Sequence, residues 1–286
     1  MVCFIIPLKG GDVVMKRYRI GEFAKRMSVT LDFIRFYEEK GLIESTVDPR
    51  NNYHYYDVSQ SEIIYKIQQY RNLGFNVSET VELIRHANKD QMLAMFGARS
   101  KAHSNAIVRS RYAINYLDFL QRALSTQNGT WYISRLPAFW FMSHTLGDDY
   151  LDSLSIQSTF TMWAAEVPLN FSMTKWALNN DGALSALYHG RAMEQSVAKE
   201  FNFVPHNAVE LVPEKRCIEY YFDYAHPKEF SHNMGPSLSL ANIQPALDIV
   251  REKNFEIDGD IFDRHVAFYN EKGLPYSKLV IYIPIK

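Results

Sequence analysis

Residues 18–45 read YRIGEFAKRMSVTLDFIRFYEEKGLIES, and residues 52–75, after a short polar turn, read NYHYYDVSQSEIIYKIQQYRNLGF. Ile20, Phe23 and Ala24 recur at i, i+3 and i+4, and Val29, Phe33, Ile34 and Tyr37 do the same after Ser28, so each segment predicts a short helix with one apolar face. Gly41, following Glu38, Glu39 and Lys40, is a C′ glycine that stops the second helix. Asp48, Pro49, Arg50, Asn51 and Asn52 carry turn chemistry, and Tyr53 to Tyr56 have the aromatic character of a hairpin's return strand. Ser59 with Glu62, and Asn76 with Glu79 after Gly74, are capping-box pairs that open two further helices.

Two short helices followed by a wing form a geometry suited to duplex DNA. The second helix would lie in the major groove with Thr30, Leu31, Asp32 and Arg35 near its exposed side and Phe36 and Tyr37 beside them. Arg50, Tyr53, His54, Tyr55 and Tyr56 of the wing extend this surface, while Lys16, Arg17, Arg19, Lys25 and Arg26 are available to phosphates. The run resembles the DNA-binding domain of MerR-type transcription regulators: RIGEFA at 19–24, IRFYEEKGL at 34–42, the aromatic wing and RNLGF at 71–75 all match. It departs at Asp32, where many members carry a basic residue, and at His54, which replaces the usual wing arginine, so base preference is expected to differ.

A chain of 286 residues with 47% hydrophobic content holds about two domains. No apolar run approaches a membrane span, and Met1 to Pro7 lacks the basic flank of a secretory signal, which predicts a cytoplasmic protein. Lys9, Gly10, Gly11 and Asp12 are encodable by a purine-rich ribosome-binding string, so residues 1–14 are either a disordered tail or an extension upstream of a start at Met15. Residues 1–128 carry 18 Lys and Arg against 13 Asp and Glu, whereas 129–286 carry 13 against 19. The front half suits DNA and the back half suits a cation, although an acidic half is also common in soluble domains. The only cysteines, Cys3 and Cys217, lie in no ligand cluster, and residues 91–128 hold none, which argues against thiolate metal sensing; no cofactor is expected.

Gln91 to Ser125 contains no proline and one glycine, Gly97. Leu93, Phe96, Ile107, Ile114, Leu117 and Leu124 fall near a and d positions, with Ser100, His103 and Ser110 interrupting. Such a helix would run roughly 50 Å. In the MerR-like context it implies an antiparallel coiled coil joining a homodimer on a pseudo-palindromic operator.

Beyond the polar break at Thr126 to Thr130, strands are expected around Tyr132 to Thr145, Ala183 to Tyr188, Ala208 to Val212, Cys217 to Tyr224, Asp260 to Ala267 and Leu279 to Ile285, with helices over Asp149 to Glu166 and Ser237 to Glu252. NFEIDGDIFDRHVAFYNEKGLPYSKLVIYIPI, residues 254–285, resembles the end of GyrI-like effector domains found in multidrug-responsive MerR proteins. That resemblance implies a pocket acid on the penultimate strand, which falls at Asp263, with His265 next on the same face where relatives are apolar. Protonated near pH 6, His265 would partly neutralise Asp263. Trp163, Trp176, Tyr220, Phe222 and Tyr276 are candidate aromatic walls for a flat lipophile, and Glu219 is a second candidate acid; any one of these aromatics is otherwise a core residue.

The architecture expected is α+β: a winged helix-turn-helix at 15–90, a long antiparallel coiled-coil dimerisation helix at 91–126, and a GyrI-like antiparallel sheet with helices at 129–286. The family resemblance implies a ligand-responsive regulator that distorts an over-long promoter spacer for RNA polymerase, its effector a lipophilic aromatic compound, cationic if Asp263 supplies the charge. No nucleophile elbow, HExxH or phosphate loop is present, so no enzyme is expected. The rival readings of the C-terminal domain are a small-molecule hydrolase and a protein-interaction module.

Overall fold

The computed structural model describes residues 16–179, 183–203, 207–226 and 240–286. The 1–14 extension, the start at Met15 and the first turn of the predicted helix at 237–252 lie outside the described residues. The chain forms two compact units, Met1–Ala106 and Ile107–Lys286.

The first unit runs β1 (Tyr18–Arg19), α1 (Ile20–Met27), α2 (Leu31–Glu39), β2 (Thr46–Val47), β3 (His54–Tyr56), α3 (Gln60–Asn72) and α4 (Val77–Arg85). The apolar faces read from the sequence close on one core: Phe23, Ala24, Met27, Ile34, Tyr37, Leu42, Ile43, Tyr56, Ile64 and Ile67. Ser28, at φ 53°, reverses the chain after α1, and the N-cap of α2 is Thr30, whose Oγ1 accepts the Phe33 N–H at 3.0 Å. Gly41 ends α2 as expected. It sits at φ 71°, its N–H reaches the Glu38 carbonyl at 2.8 Å, and the next N–H, of Leu42, reaches Tyr37 at 2.8 Å. The three short strands pair antiparallel in the order β1-β3-β2. Asn76 and Glu79 form a full capping box. Ser59 does not: its side chain makes no cap bond to α3 and donates instead to Asp57, which also accepts the Ser59 N–H at 2.8 Å.

Helix α5 (Lys89–Ser125) is 37 residues long, as the unbroken pattern predicts. Leu93, Ile107, Ile114, Leu117 and Leu124 stand exposed along it. Phe96 is different from the other seam positions, because its ring packs against Tyr70 and Phe75 within the N-terminal unit.

The second unit adds β4 (Trp131–Leu136), β5 (Phe139–Leu146), β6 (Asp149–Tyr150), α6 (Leu154–Ala164), β7 (Phe171–Leu178), β8 (Leu184–Glu194), α7 (Gln195–Glu200), β9 (Glu210–Val212), β10 (Lys215–Ala225), α8 (Leu240–Glu252), β11 (Ile261–Glu271) and β12 (Leu274–Pro284). The strands form one nine-stranded antiparallel sheet in the order β4-β10-β12-β11-β7-β8-β5-β6, with β9 on β5. Strand β7 and helix α7 were not anticipated, and β6 with a short turn replaces the first third of the helix expected at 149–166. Alternation along the strands divides the core in two. On one face Phe139, Met173, Phe262, Val280 and Tyr282 pack with Phe119 and Leu120 of α5. On the other, Trp176, Ile218, Ile261 and Ile281 pack under Ile243, Ala246 and Val250 of α8.

Candidate functional site

The core of the first unit consumes one side of α1 and α2 and leaves the opposite side charged, with Glu22, Asp32 and Glu39 exposed among its cations. Arg17, Arg19, Lys25, Arg26, Arg35, Lys40 and Arg50 are all exposed. Arg35 projects from the middle of α2, 3.8 Å from Asp32, with Leu31 and Phe36 exposed beside it. Thr30 is committed to the helix cap through its hydroxyl. At the wing, Tyr53 is half exposed and lies 4.7 Å beneath the Arg19 guanidinium, while the Arg50 side chain extends from the Asp48 to Asn52 turn. Such an array of exposed guanidinium and ammonium groups around one helix and one hairpin suits a phosphate backbone.

Tyr37 and Tyr56 were grouped with this surface on sequence, but they are 4% and 1% exposed. Tyr56 stacks flat on Phe23 at 5.3 Å, and Tyr37 packs against Phe33 at 4.7 Å, so both rings close the core and hold the neighbouring exposed residues in place. The residue that joins α2 to the wing is Glu38, to which sequence reasoning gave no role beyond its place in the helix. Its carboxylate accepts from Tyr56 Oη at 2.9 Å and from Ser45 Oγ at 2.5 Å, and lies 3.3 Å from His54 Nδ1. Burial pushes this carboxyl up, but the hydrogen bonds from Ser45, Tyr56 and His54 outweigh it and hold Glu38 below the usual carboxylate range. Glu38 thereby ties α2 and the wing into one body.

In the second unit none of Asp263, His265, Trp163, Trp176, Tyr220, Phe222 and Tyr276 lines the four cavities of about 200–340 Å³ formed by the described residues. Asp263 and Trp176 do meet: the indole N–H donates to Asp263 Oδ2 at 2.6 Å, with both residues 1% exposed on the α8 face. Burial pushes the Asp263 carboxyl up to about 7, against the lowering effect of hydrogen bonds from Trp176 and Thr174. His265 packs at a tilt against Phe268 and faces Ser277, and burial together with His226 holds it down at about 4. It is therefore neutral at pH 6, contrary to the expectation that it would offset Asp263 there. Trp163 belongs to a separate cluster with Met142 and Val197; Tyr220 is core and Phe222 packs against that core; Tyr276 stacks on Tyr269 at 5.3 Å.

The cavities lie elsewhere. One of about 340 Å³ is lined by His144, Tyr150, Ile156 and Phe160. Two others, of about 200 and 230 Å³, share Phe119, Arg122, Phe171, Glu194 and Arg264 as walls. Glu219, the second candidate acid, lines the smaller of these and accepts the Tyr221 hydroxyl at 2.5 Å. Sequence reasoning gave no role to Arg264, Phe119, Arg122 or Glu194, which line both of these cavities. The available signal was alternation: Phe262, Arg264 and Val266 occupy the strand face opposite to Asp263, and a lone arginine on an apolar face is unusual. Cys217 is buried near Glu219, and burial first, then that carboxylate, pushes its thiol up to about 12, so it is inert. Among the described residues no group of three or more potential ligands is placed to hold a metal ion, and no helix is long and apolar enough to cross a membrane.

The regulator CueR of Escherichia coli O6:H1 is 36% identical over 72 residues, which are 25% of this chain and 53% of that protein. ZntR of Escherichia coli strain K12 is 37% identical over 67 residues, 23% of this chain and 48% of that protein. The chain spans about half the length of the curated relatives it matches. Among solved structures, the cryo-EM structure of an EcmrR–DNA complex in EcmrR-RPo aligns over 94% of this chain and 99% of that one, at 14% identity and a TM-score of 0.38. Residues 18–87 match the family model of the MerR HTH family regulatory proteins, and this segment is a helix-turn-helix of the MerR type.

Proposed function

We propose that the protein is a DNA-binding transcription regulator whose C-terminal unit responds to a small-molecule effector without turning it over. The observation that carries the reading is the exposed cationic face of residues 16–50 on a MerR-type helix-turn-helix segment, with Arg35 central on α2. A dimer of this chain presents two such faces to a dyad-symmetric site. The dimer seam is the exposed apolar row of Leu93, Ile107, Ile114, Leu117 and Leu124 along α5, which keeps heptad spacing and suits an antiparallel coiled coil with a second copy. Cytoplasmic promoter DNA and RNA polymerase are the partners of this reading, and a GyrI-like effector unit is its sensor.

Regulation acts through DNA shape. Bending and untwisting a 20–30 base-pair site costs on the order of 1–6 kcal/mol, and an effector drives it only through different affinities for the two protein states. The test is affinity for double-stranded DNA against salt concentration. Arg35→Ala is expected to weaken specific binding with the dimer intact, and Arg17→Ala to weaken specific and nonspecific binding alike and flatten the salt slope. Unchanged binding by both variants contradicts the assignment of this face.

A further inference from the structure

Strand β11 sends two adjacent ionisable residues to opposite faces of the sheet. Asp263 enters the closed α8 face, and Arg264 enters the face where the two adjoining cavities lie. Arg264 is 9% exposed, and its guanidinium carbon sits 3.6 Å from the Phe171 ring centroid and 4.0 Å from that of Phe119. Both rings lie within cation–π distance of the guanidinium, whose N–H groups point along its edge. Nε is a buried donor with no hydrogen-bond partner. Among the described residues no carboxylate comes within ion-pair distance of Arg264; Glu194 acts on it only at longer range, and Tyr116 and Tyr282 supply further favourable contacts. A buried cation with an unmet N–H is costly unless an acceptor reaches it. The smaller cavity offers room beside that edge, walled by Leu136, Phe139, Met173 and Tyr282.

We propose that the cavities around Arg264 are the effector site and that the effector is an aromatic carboxylate, its oxygen accepting from the Arg264 guanidinium edge and its ring lying against Phe139, Met173 and Tyr282. The proposal rests on the reading of the C-terminal unit as the ligand-responsive part of a regulator. Phe119 and Arg122 belong to α5, so an occupant touches the sheet and this helix at once. Two carboxylates oppose an anion here, Glu194 and Glu219. Glu219 is engaged by the Tyr221 hydroxyl, and Arg122 lines the same cavity. Glu194 takes a side-chain bond from Ser196 at 3.4 Å and acts on Arg264 at longer range, so its charge also bears on the cavity. The sign of its effect distinguishes an anionic occupant from a cationic one.

The experiment is calorimetric titration of the full chain with 2-naphthoate, 2-naphthamide and 2-naphthylmethylammonium, alongside its affinity for double-stranded DNA. The naphthoate is expected to bind roughly ten-fold or more tighter than the amide, the increment of a hydrogen bond to a charged group. Arg264→Lys, which keeps charge but loses the planar fork, should shrink that preference, and Arg264→Met should abolish it. Glu194→Gln should tighten naphthoate and weaken the ammonium probe; it tests the site even if Arg264→Met fails to fold. Preference for the ammonium probe, absence of naphthoate binding at millimolar concentration, or naphthoate affinity indifferent to Arg264→Lys and Glu194→Gln overturns the proposal. DNA binding that persists in that event leaves the regulator reading standing, whereas a wild-type chain without DNA affinity removes that reading whatever the naphthoate does.

Discussion

Asp263→Asn separates an acid that serves ligand charge from one that is only enclosed. In the folded chain burial raises this carboxyl from 3.8 to about 7. The unfolded chain ionises Asp263 above about pH 4, while the folded chain keeps the proton until about pH 7. Between those values the folded state binds more protons, so stability falls as pH rises, and above pH 7 the loss is constant. The rise corresponds to about 4 kcal/mol at full development. Asparagine is neutral throughout and still offers an oxygen to the Trp176 N–H, now 2.6 Å from the carboxylate. Asp263→Asn is therefore expected to exceed the wild type by up to about 4 kcal/mol at pH 8, with the excess vanishing below about pH 4. Urea unfolding of both proteins at pH 4, 6 and 8 measures the difference, in which groups common to both cancel. Parallel stability profiles would refute the reasoning and return Asp263 to solvent or to a charged partner.

Glu38→Gln should loosen the wing and cost about 1–2 kcal/mol at neutral pH, since it weakens charge-assisted bonds to Ser45, Tyr56 and His54. Because the Glu38 carboxyl is held low, its contribution exists above the unfolded value and is lost as pH falls through the folded one, so the penalty should fade below about pH 4; denaturation of the wild type and variant at pH 3.5 and 7 reads it. Gly190→Ala should destabilise the sheet severely, because a Cβ there would come 2.2 Å from the Met142 carbonyl oxygen, and a thermal melt within a few degrees of wild type would contradict that contact. Ile114→Lys with Leu117→Lys should yield monomers that lose DNA affinity, as judged by sedimentation; a double variant that stays dimeric places the interface elsewhere.

The N-terminal unit was legible because its signals are local. Apolar spacing at i, i+3 and i+4, the C′ glycine at Gly41 and the Asp48 to Asn52 turn each act within a few residues, and the structure keeps them all. Where a side chain had two local options, sequence was insufficient: Ser59 turned to Asp57 and left α3 uncapped by its side chain. Periodicity likewise placed Phe96 on an apolar stripe without revealing that Tyr70 and Phe75 of the same chain would occupy it. The sheet was harder. Strand β7 reads FSMTKWAL, whose Ser, Thr and Lys hide a strand paired on both sides by β8 and β11. On β11, alternation correctly separates Asp263 from Arg264, yet which face closes under α8 and which keeps a cavity depends on α5 and α8 packing from far along the chain. A shift of one residue exchanges the two faces; the GyrI-like resemblance placed a pocket acid at Asp263, and it gave no indication that this residue faces α8 while Arg264 faces the cavities.

The most direct test of the central claim is selection of double-stranded DNA from a random pool by the full-length protein, followed by affinity measurements on the enriched sequence. The account predicts enrichment of two half-sites related by a dyad, with specific affinity reduced by Arg35→Ala and retained, with a salt slope, by the wild type. A pool that shows no enrichment, or an enriched site bound equally by Arg35→Ala, would contradict it.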